Sequence, residues 1–204
     1  MKIDVQPDVN WFKLSTDRKV AFFARPKGSV STNGFGLPMG REWSCKDATD
    51  WCEGVCYADL PWPNVQALLH HNWDMYQQNK HSVHRLVGML RPLVEESRRW
   101  ARKRDEPHVF RWFWSGDIPG RNFATAMRTV ALLYPYSTFW VYTWDETAGL
   151  AALFEGERKG PRCPELTGKI PLLVWGDGGT GRGACVECGM CLTGINNVRF
   201  ASGE

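Results

Sequence analysis

Three cysteines in one short polar stretch constrain this chain more than any other feature. Cys45, Cys52 and Cys56 have the spacing C-x6-C-x3-C. The residues between them, such as Asp50 and Gly54, are charged or turn-forming, which is typical of a loop and not of a core segment. Thiolates are soft ligands that select zinc, copper(I) or iron–sulfur clusters. We therefore expect this loop to hold a metal; the alternatives are small buried side chains, or a disulfide with one spare thiol.

The cysteine count supports metal ligation. The chain has 204 residues and seven cysteines, an odd number. Its first residues lack the apolar core of a signal peptide, and no apolar run is long enough to span a bilayer. These features predict a soluble protein of a reducing cytoplasm, where cysteines serve as metal ligands more often than as disulfides. The length fits one domain, 1–204.

A second cysteine group lies near the C-terminus. Cys185, Cys188 and Cys191 have the spacing C-x2-C-x2-C, and Cys163 is the obvious remote fourth ligand. Four thiolates make a closed site, which suits either structural zinc or a second cluster. We expect this metal to pack the segment 184–204 onto the domain. The first group, with three cysteines, would instead leave one iron of a [4Fe–4S] cluster open to another ligand.

Apolar periodicity predicts alternating strands and helices. The expected strands are 19–24, 108–114, 138–143 and 170–175. The expected helices are 64–79, 82–103, 122–133 and 146–154. The segment 25–45 is rich in Gly, Pro, Ser and Asn and is predicted to be an irregular loop. This order favours an α/β domain with a largely parallel sheet.

A parallel sheet would gather several polar groups at one edge. Right-handed crossovers bring the carboxyl ends of parallel strands together, and ligands bind at that edge in α/β folds. The cysteine loop, Ser115–Asp117, the end of strand 138–143 with Trp144 and Asp145, and the glycine-rich run 176–181 each come at or after the end of a predicted strand. Ser115–Asp117 has an equally good interpretation as a helix-capping turn. The run 176–181 lacks the Lys-Ser/Thr of a phosphate-binding loop and is expected to be a connector.

Basic and aromatic residues suggest further contacts. The net charge of +3 does not by itself indicate a nucleic-acid partner. The basic run 98–104 ends a predicted helix, where the helix dipole favours cations; contact with phosphates is the alternative. Among the eleven tryptophans, Trp43, Trp51 and Trp62 flank the cysteine loop and are expected to shield a metal from water.

A set of these features resembles the phage and bacterial gene product 88 family. The residues that carry the resemblance are Cys45, Cys52, Cys56-Tyr57-Ala58, Arg111-x3-Ser115-Gly116-Asp117, Tyr142-Thr143, and Cys163-Pro164 with the final cysteine triplet. That family looks like a group of short, distant relatives of radical S-adenosylmethionine proteins. The resemblance implies a partial (β/α) barrel, or an open mainly parallel sheet, around an iron–sulfur cluster. It also implies a phage-encoded protein in the host cytoplasm.

Three functions compete at this point. The first is redox or radical chemistry at an open cluster iron, and no catalytic residue is assigned for it. S-adenosylmethionine would then be held at the strand ends, by Ser115, Gly116, Asp117, Tyr142 and Thr143, with Tyr57 and Trp144 bordering the cavity. The loop spacing differs from the C-x3-C-x2-C of radical enzymes. The second function is a zinc- or cluster-stabilised module that binds a host protein or nucleic acid through the basic run 98–104. The third is electron transfer.

Overall fold

The computed structural model describes residues 11–16, 32–46 and 62–141, together with positions 48, 50, 53, 56 and 143. Four strands form one sheet in this part of the chain: β1 (Ser15–Thr16), β2 (Thr32–Phe35), β3 (Val109–Trp112) and β4 (Thr138–Val141). They lie in the order β1-β2-β3-β4. β1 pairs with β2 antiparallel, whereas β2, β3 and β4 are parallel. The predicted α/β class is therefore confirmed, and of the two architectures expected, the described strands form the open sheet and not a barrel.

Among the described residues, three long helices accompany the sheet. Helix α1 (Pro63–Asn79) begins at a proline, which needs no hydrogen-bond acceptor for its nitrogen in a first turn. Helix α2 (Val83–Lys103) begins after Ser82, whose Oγ accepts a hydrogen bond from the backbone N–H of Arg85 at 3.3 Å. Helix α3 (Arg121–Leu133) connects β3 to β4. None of these described helices is long and apolar enough to cross a membrane.

The core lies between the helices and one face of the sheet. Phe110 and Trp112, two positions apart on β3, point to the same face and join residues of α2 and α3 in one buried cluster. Phe35 of β2 stacks on Phe123 of α3, with ring centroids 5.6 Å apart. Arg111 points to the opposite face, is 1% exposed, and holds its guanidinium 4.8 Å from the ring centroid of Trp140. Both faces of the central strand are therefore buried.

A buried amide joins α1 to the sheet. Asn72 accepts a hydrogen bond from the backbone N–H of Lys13 at 2.8 Å and donates to the carbonyl oxygens of Lys13 and Gly36. Gly36 has no room for a side chain, since a Cβ would lie 2.9 Å from the indole ring of Trp114 and 2.9 Å from a methyl group of Leu69. These contacts fix the chain that leaves β2 against α1.

One sequence prediction is wrong in this region. Thr32–Phe35 lies within the segment predicted as an irregular loop, yet it forms the strand beside β3. Its sequence, TNGF, shows no apolar alternation, so its pairing depends on tertiary contacts such as the 3.1 Å bond from Asn33 Nδ2 to the carbonyl oxygen of Val109. The predicted elements 19–24, 146–154 and 170–175, the glycine-rich run 176–181 and the segment 184–204 lie outside the described residues.

Candidate functional site

The candidate site lies where β2, β3 and β4 end, which we call the carboxyl edge. The chain leaving β2 runs through Leu37 to Cys45, and the chain leaving β3 forms the turn Ser115–Asp117. Thr143 follows β4 and is partly buried. Parallel pairing of β2, β3 and β4 places these three strand-end segments at the same edge of the sheet. The strand that leads to the cysteine loop is β2 and not the predicted segment 19–24.

Reciprocal hydrogen bonds join the two strand-end segments. The backbone N–H of Leu37 donates to the carbonyl oxygen of Ser115 at 3.0 Å. Ser115 Oγ donates back to the carbonyl oxygen of Leu37, also at 3.0 Å. The Ser115 hydroxyl, predicted to contact a cofactor, thus donates its hydrogen bond to the protein backbone.

Ser44 connects the cysteine loop to the turn after β3. Its buried Oγ donates to the carbonyl oxygen of Pro38 at 2.6 Å and accepts from the backbone N–H of Asp117 at 3.1 Å. The same oxygen lies 3.9 Å from the sulfur of Cys45. Sequence reasoning assigned no role to Ser44, and its only signal was its position directly before Cys45.

Gly116 is required by the backbone of this turn. Its φ of 77° is in the left-handed region that favours glycine. A Cβ there would lie 2.3 Å from Ser44 Oγ and 2.7 Å from the carbonyl oxygen of Leu37. The absent side chain lets the two segments approach each other, so Gly116 acts through backbone geometry.

Asp117 is buried beside this junction. Its Oδ1 accepts a hydrogen bond from the backbone N–H of Ile118 at 2.7 Å. It does not cap α3, because the residue preceding that helix is Gly120 and no side chain caps it. The carboxylate therefore stays in the turn at the carboxyl edge, close enough to Cys45 to affect its charge.

Two of the predicted metal ligands, Cys45 and Cys56, lie in the described part of the loop. Cys45 and Cys56 are free thiols, and both are partly buried. The pKa of Cys45 is raised to about 11, mainly by burial and to a smaller extent by the nearby Asp117 carboxylate, while a hydrogen bond with the backbone of Gly40 opposes the increase. Within the described part of the chain, no three His, Cys, Asp or Glu side chains form a group that could hold a metal. The remaining predicted metal ligands lie outside the described residues: Cys52, Cys163, Cys185, Cys188 and Cys191. Tyr142, a predicted cofactor contact, also lies outside them.

Arg41 holds the cysteine loop from outside. Its backbone N–H donates to Glu53 Oε1 at 2.8 Å, its Nε donates to the carbonyl oxygen of Ala48 at 2.6 Å, and its Nη2 pairs with Asp50. These contacts span most of the stretch between Cys45 and Cys56. Nothing in the sequence distinguishes Arg41 from other exposed arginines, so sequence analysis missed it.

Trp43, one of the tryptophans expected to shield the loop, packs against helix α1. Trp43 packs edge-on against His70, with ring centroids 4.8 Å apart, and against Trp73 at 5.9 Å. Trp62 is 54% exposed, so it contributes little of the predicted shield. Trp51, Tyr57 and Trp144 lie outside the described residues.

Comparison with known proteins tests the resemblance. The sequence model of the family described as Gene product 88 matches residues 13–148, more than half of the chain, and this range contains the first cysteine group but not the second. The Gene 88 proteins of Mycobacterium phage L5 and Mycobacterium phage D29 are 30% and 27% identical to the chain. Each alignment covers 93% of this chain and 97% of the relative. No solved structure matches. The chain therefore belongs to the Gene product 88 family, as its cysteine pattern and strand-end motifs predicted.

Proposed function

We propose that the chain binds an iron–sulfur cluster at the carboxyl edge, with Cys45, Cys52 and Cys56 as ligands. One observation carries the proposal: the sulfur of Cys45 lies 3.9 Å from Ser44 Oγ, and the same oxygen bonds the backbone of Asp117 after β3, so the cysteine loop starts at the carboxyl edge. Cys45 and Cys56 are both free thiols and only partly buried, so both are accessible to a metal.

The chemistry of this pair fits a cationic ligand. Burial and the nearby Asp117 carboxylate disfavour the Cys45 thiolate and raise the pKa of this thiol, and a cation bound to the sulfur would offset both effects. A coordinated metal supplies this positive charge and removes the thiol proton. Soft thiolates favour iron–sulfur clusters or zinc over hard cations. We favour a [4Fe–4S] cluster, because three cysteines leave one iron for another ligand.

The finer proposal is redox or radical chemistry in a radical S-adenosylmethionine-like fold. A reduced cluster held by Cys45, Cys52 and Cys56 would supply the electron for such chemistry. Asp117 and Thr143, at the ends of adjacent strands, would hold the polar part of a bound ligand. Ser115 and Gly116 would support it indirectly, by fixing the turn that positions Asp117. A second metal held by Cys163 and the final cysteine triplet remains a prediction from their spacing.

Anaerobic purification with iron, zinc and acid-labile sulfide analysis tests the proposal. A brown protein with stoichiometric iron and sulfide is expected, and Cys52→Ala and Cys56→Ser should each lose iron. Thr125→Ala is the matched control, because this exposed α3 hydroxyl bonds only the backbone of its own helix. A colourless protein with stoichiometric zinc would replace the proposal with the metal-stabilised binding module. Full iron retention in Cys52→Ala would exclude Cys52 as a ligand.

S-adenosylmethionine tests the finer proposal separately. Reduced protein should release 5′-deoxyadenosine or show a perturbed electron paramagnetic resonance spectrum, and Asp117→Asn should diminish that response without loss of iron. If neither signal appears in a protein with a full cluster, the cluster serves structure, sensing or electron transfer.

A further inference from the structure

The outer surface of α2 and α3 concentrates the positive charge of the molecule. The two helices carry eight Lys or Arg and two Glu, a net charge of +6, in a chain whose net charge is +3. α3 contains no acidic residue. The rest of the chain is therefore net negative, and its basic character is confined to one pair of helices.

These cations share one side of the molecule. Both helices are crossovers between parallel neighbouring strands, so right-handed connections place them on the same face of the sheet. Their exposed residues consequently point away from the sheet. We call this surface the basic face; its exposed members are Arg85, Arg91, Arg99, Arg102, Lys103, Arg121 and Arg128.

The ion pairs within α2 neutralise little of its positive charge. Arg98 and Arg99 lie 3.7 Å and 4.0 Å from Glu95 and Glu96, one turn earlier on α2. Exposed pairs of this kind are weak and are screened by salt. Arg102 forms no ion pair with any described residue. The dipole of a helix end amounts to only about half a negative charge, which is less than the charge of the cations at the end of α2.

Exposed aromatic side chains border one end of the basic face. β3 and β4 start side by side, with Val109 aligned to Thr138, so the ends of α2 and α3 lie at the same edge of the sheet. Trp100 is 38% exposed, and Lys103 and Arg104 lie over its ring at 5.3 Å and 5.8 Å. On the connection between α3 and β4, the side chain of Tyr136 is 94% exposed.

We propose that the basic face binds single-stranded nucleic acid. A row of cations suits a phosphate backbone, and α2, with 21 residues, is about 30 Å long, enough to follow several nucleotides. Exposed aromatic rings beside such a row stack on unpaired bases, which a duplex does not offer. The contact uses phosphate and ring chemistry common to DNA and RNA. It is independent of the metal site, which lies at the opposite edge of the sheet.

Fluorescence anisotropy of a labelled oligothymidylate with the full-length protein tests the proposal. Arg102→Glu should weaken binding about tenfold and reduce its salt dependence. Lys13→Glu is the matched control: it makes the same change in net charge at an exposed residue outside the basic face. Tyr136→Ala should weaken binding about fivefold or more, whereas Tyr136→Phe, which keeps the ring, should not.

The outcomes discriminate among partners. An unlabelled oligoribonucleotide should compete as effectively as DNA, and a duplex of the same length should compete poorly. Equal losses for Arg102→Glu and Lys13→Glu, or a duplex that binds as tightly as the single strand, would overturn the proposal. A polyglutamate peptide that competes as well as the oligonucleotide would overturn it in favour of an acidic protein partner. Circular dichroism should show that every variant is folded, since each replaced side chain is exposed.

Discussion

The side chains at the two edges of the sheet differ in burial: those at the carboxyl edge are packed, and many of those at the amino edge are exposed. At the carboxyl edge, Ser44, Gly116 and Asp117 are held by short contacts with backbone atoms, and the Cys45 thiol lies beside Ser44. At the amino edge, where β3 and β4 begin, Tyr136 and the cations that end α2 face solvent. Groups that must be held in one geometry are packed, whereas groups that meet a large flexible ligand can remain solvated. Substitutions should therefore affect folding at the first edge and binding at the second.

Gly116→Ala should have the largest effect on stability. The new methyl group would collide with Ser44 Oγ and the carbonyl oxygen of Leu37, at a residue with φ of 77°. We expect a loss of about 3–5 kcal/mol in the free energy of unfolding, measured by urea denaturation.

Gly88→Ala is the matched control for that substitution. A Cβ at Gly88, within α2, would meet no atom within 4 Å, so alanine should stabilise the helix by up to about 1 kcal/mol. If both variants changed stability by less than about 1 kcal/mol, the carboxyl edge would not be rigidly packed, and the contrast between the edges would fail.

Ser44→Ala should rank second. Its loss leaves the carbonyl oxygen of Pro38 and the backbone N–H of Asp117 without this buried partner, at a cost of about 2 kcal/mol. Ser137→Ala, at a partly exposed residue on the connection before β4, should change stability by less than about 0.5 kcal/mol. Chemical denaturation of both proteins compares the edges with the same substitution, and equal losses would contradict the comparison.

His108 provides a pH test on the buried side of the amino edge. Burial, together with the smaller effect of the Arg98 charge, lowers its pKa to about 4, and Ser97 Oγ lies 3.0 Å from its Nε2. Between pH 6.5 and 4 the unfolded chain binds more protons at this residue than the folded chain, so stability falls as the pH falls.

After allowance for solvent screening, protonation of His108 should cost about 1–2 kcal/mol over that range. The measurement is the difference in unfolding free energy between the wild-type protein and His108→Gln at several pH values. That difference should shrink as the pH falls from 6.5 to 4. A constant difference would show that His108 is accessible to protons in the folded protein.

Tyr136→Ser should have the smallest effect. With 94% of the side chain exposed, little buried contact is lost. The free energy of unfolding should change by no more than about 0.5 kcal/mol, and the melting temperature should shift correspondingly little. A large destabilisation would show that Tyr136 supports the fold, and its exposure would then not indicate a binding role. Thermal unfolding followed by circular dichroism makes this measurement.

Helix positions were predictable because their signals are local. The expected helices 64–79 and 82–103 correspond to Pro63–Asn79 and Val83–Lys103. Proline and serine mark their starts, and apolar residues recur every three or four positions along α2. The strand 108–114 was also predicted, from its aromatic and β-branched residues, and the structure narrows it to Val109–Trp112.

Strand β2 could not be predicted, since Asn33 and Gly34 are typical of turns. It is a strand because β1 and β3 flank it and supply its backbone hydrogen bonds. The site shows the same limit. Proximity of the cysteine loop to Ser115–Asp117 followed from parallel topology, but the role of Arg41 depends on which loop atoms its side chain reaches.

By itself, the sequence determined the chemistry available to this protein: the thiols, their spacing, the helices and the basic residues of α2. Those properties depend on residue type and on intervals of a few positions. The tertiary structure alone decided that Ser44 bonds the backbone of Asp117, 73 positions away, and that Gly116 leaves room for this contact. Contacts over such separations form only when the sheet brings its strand ends together, and no local pattern in the sequence encodes them.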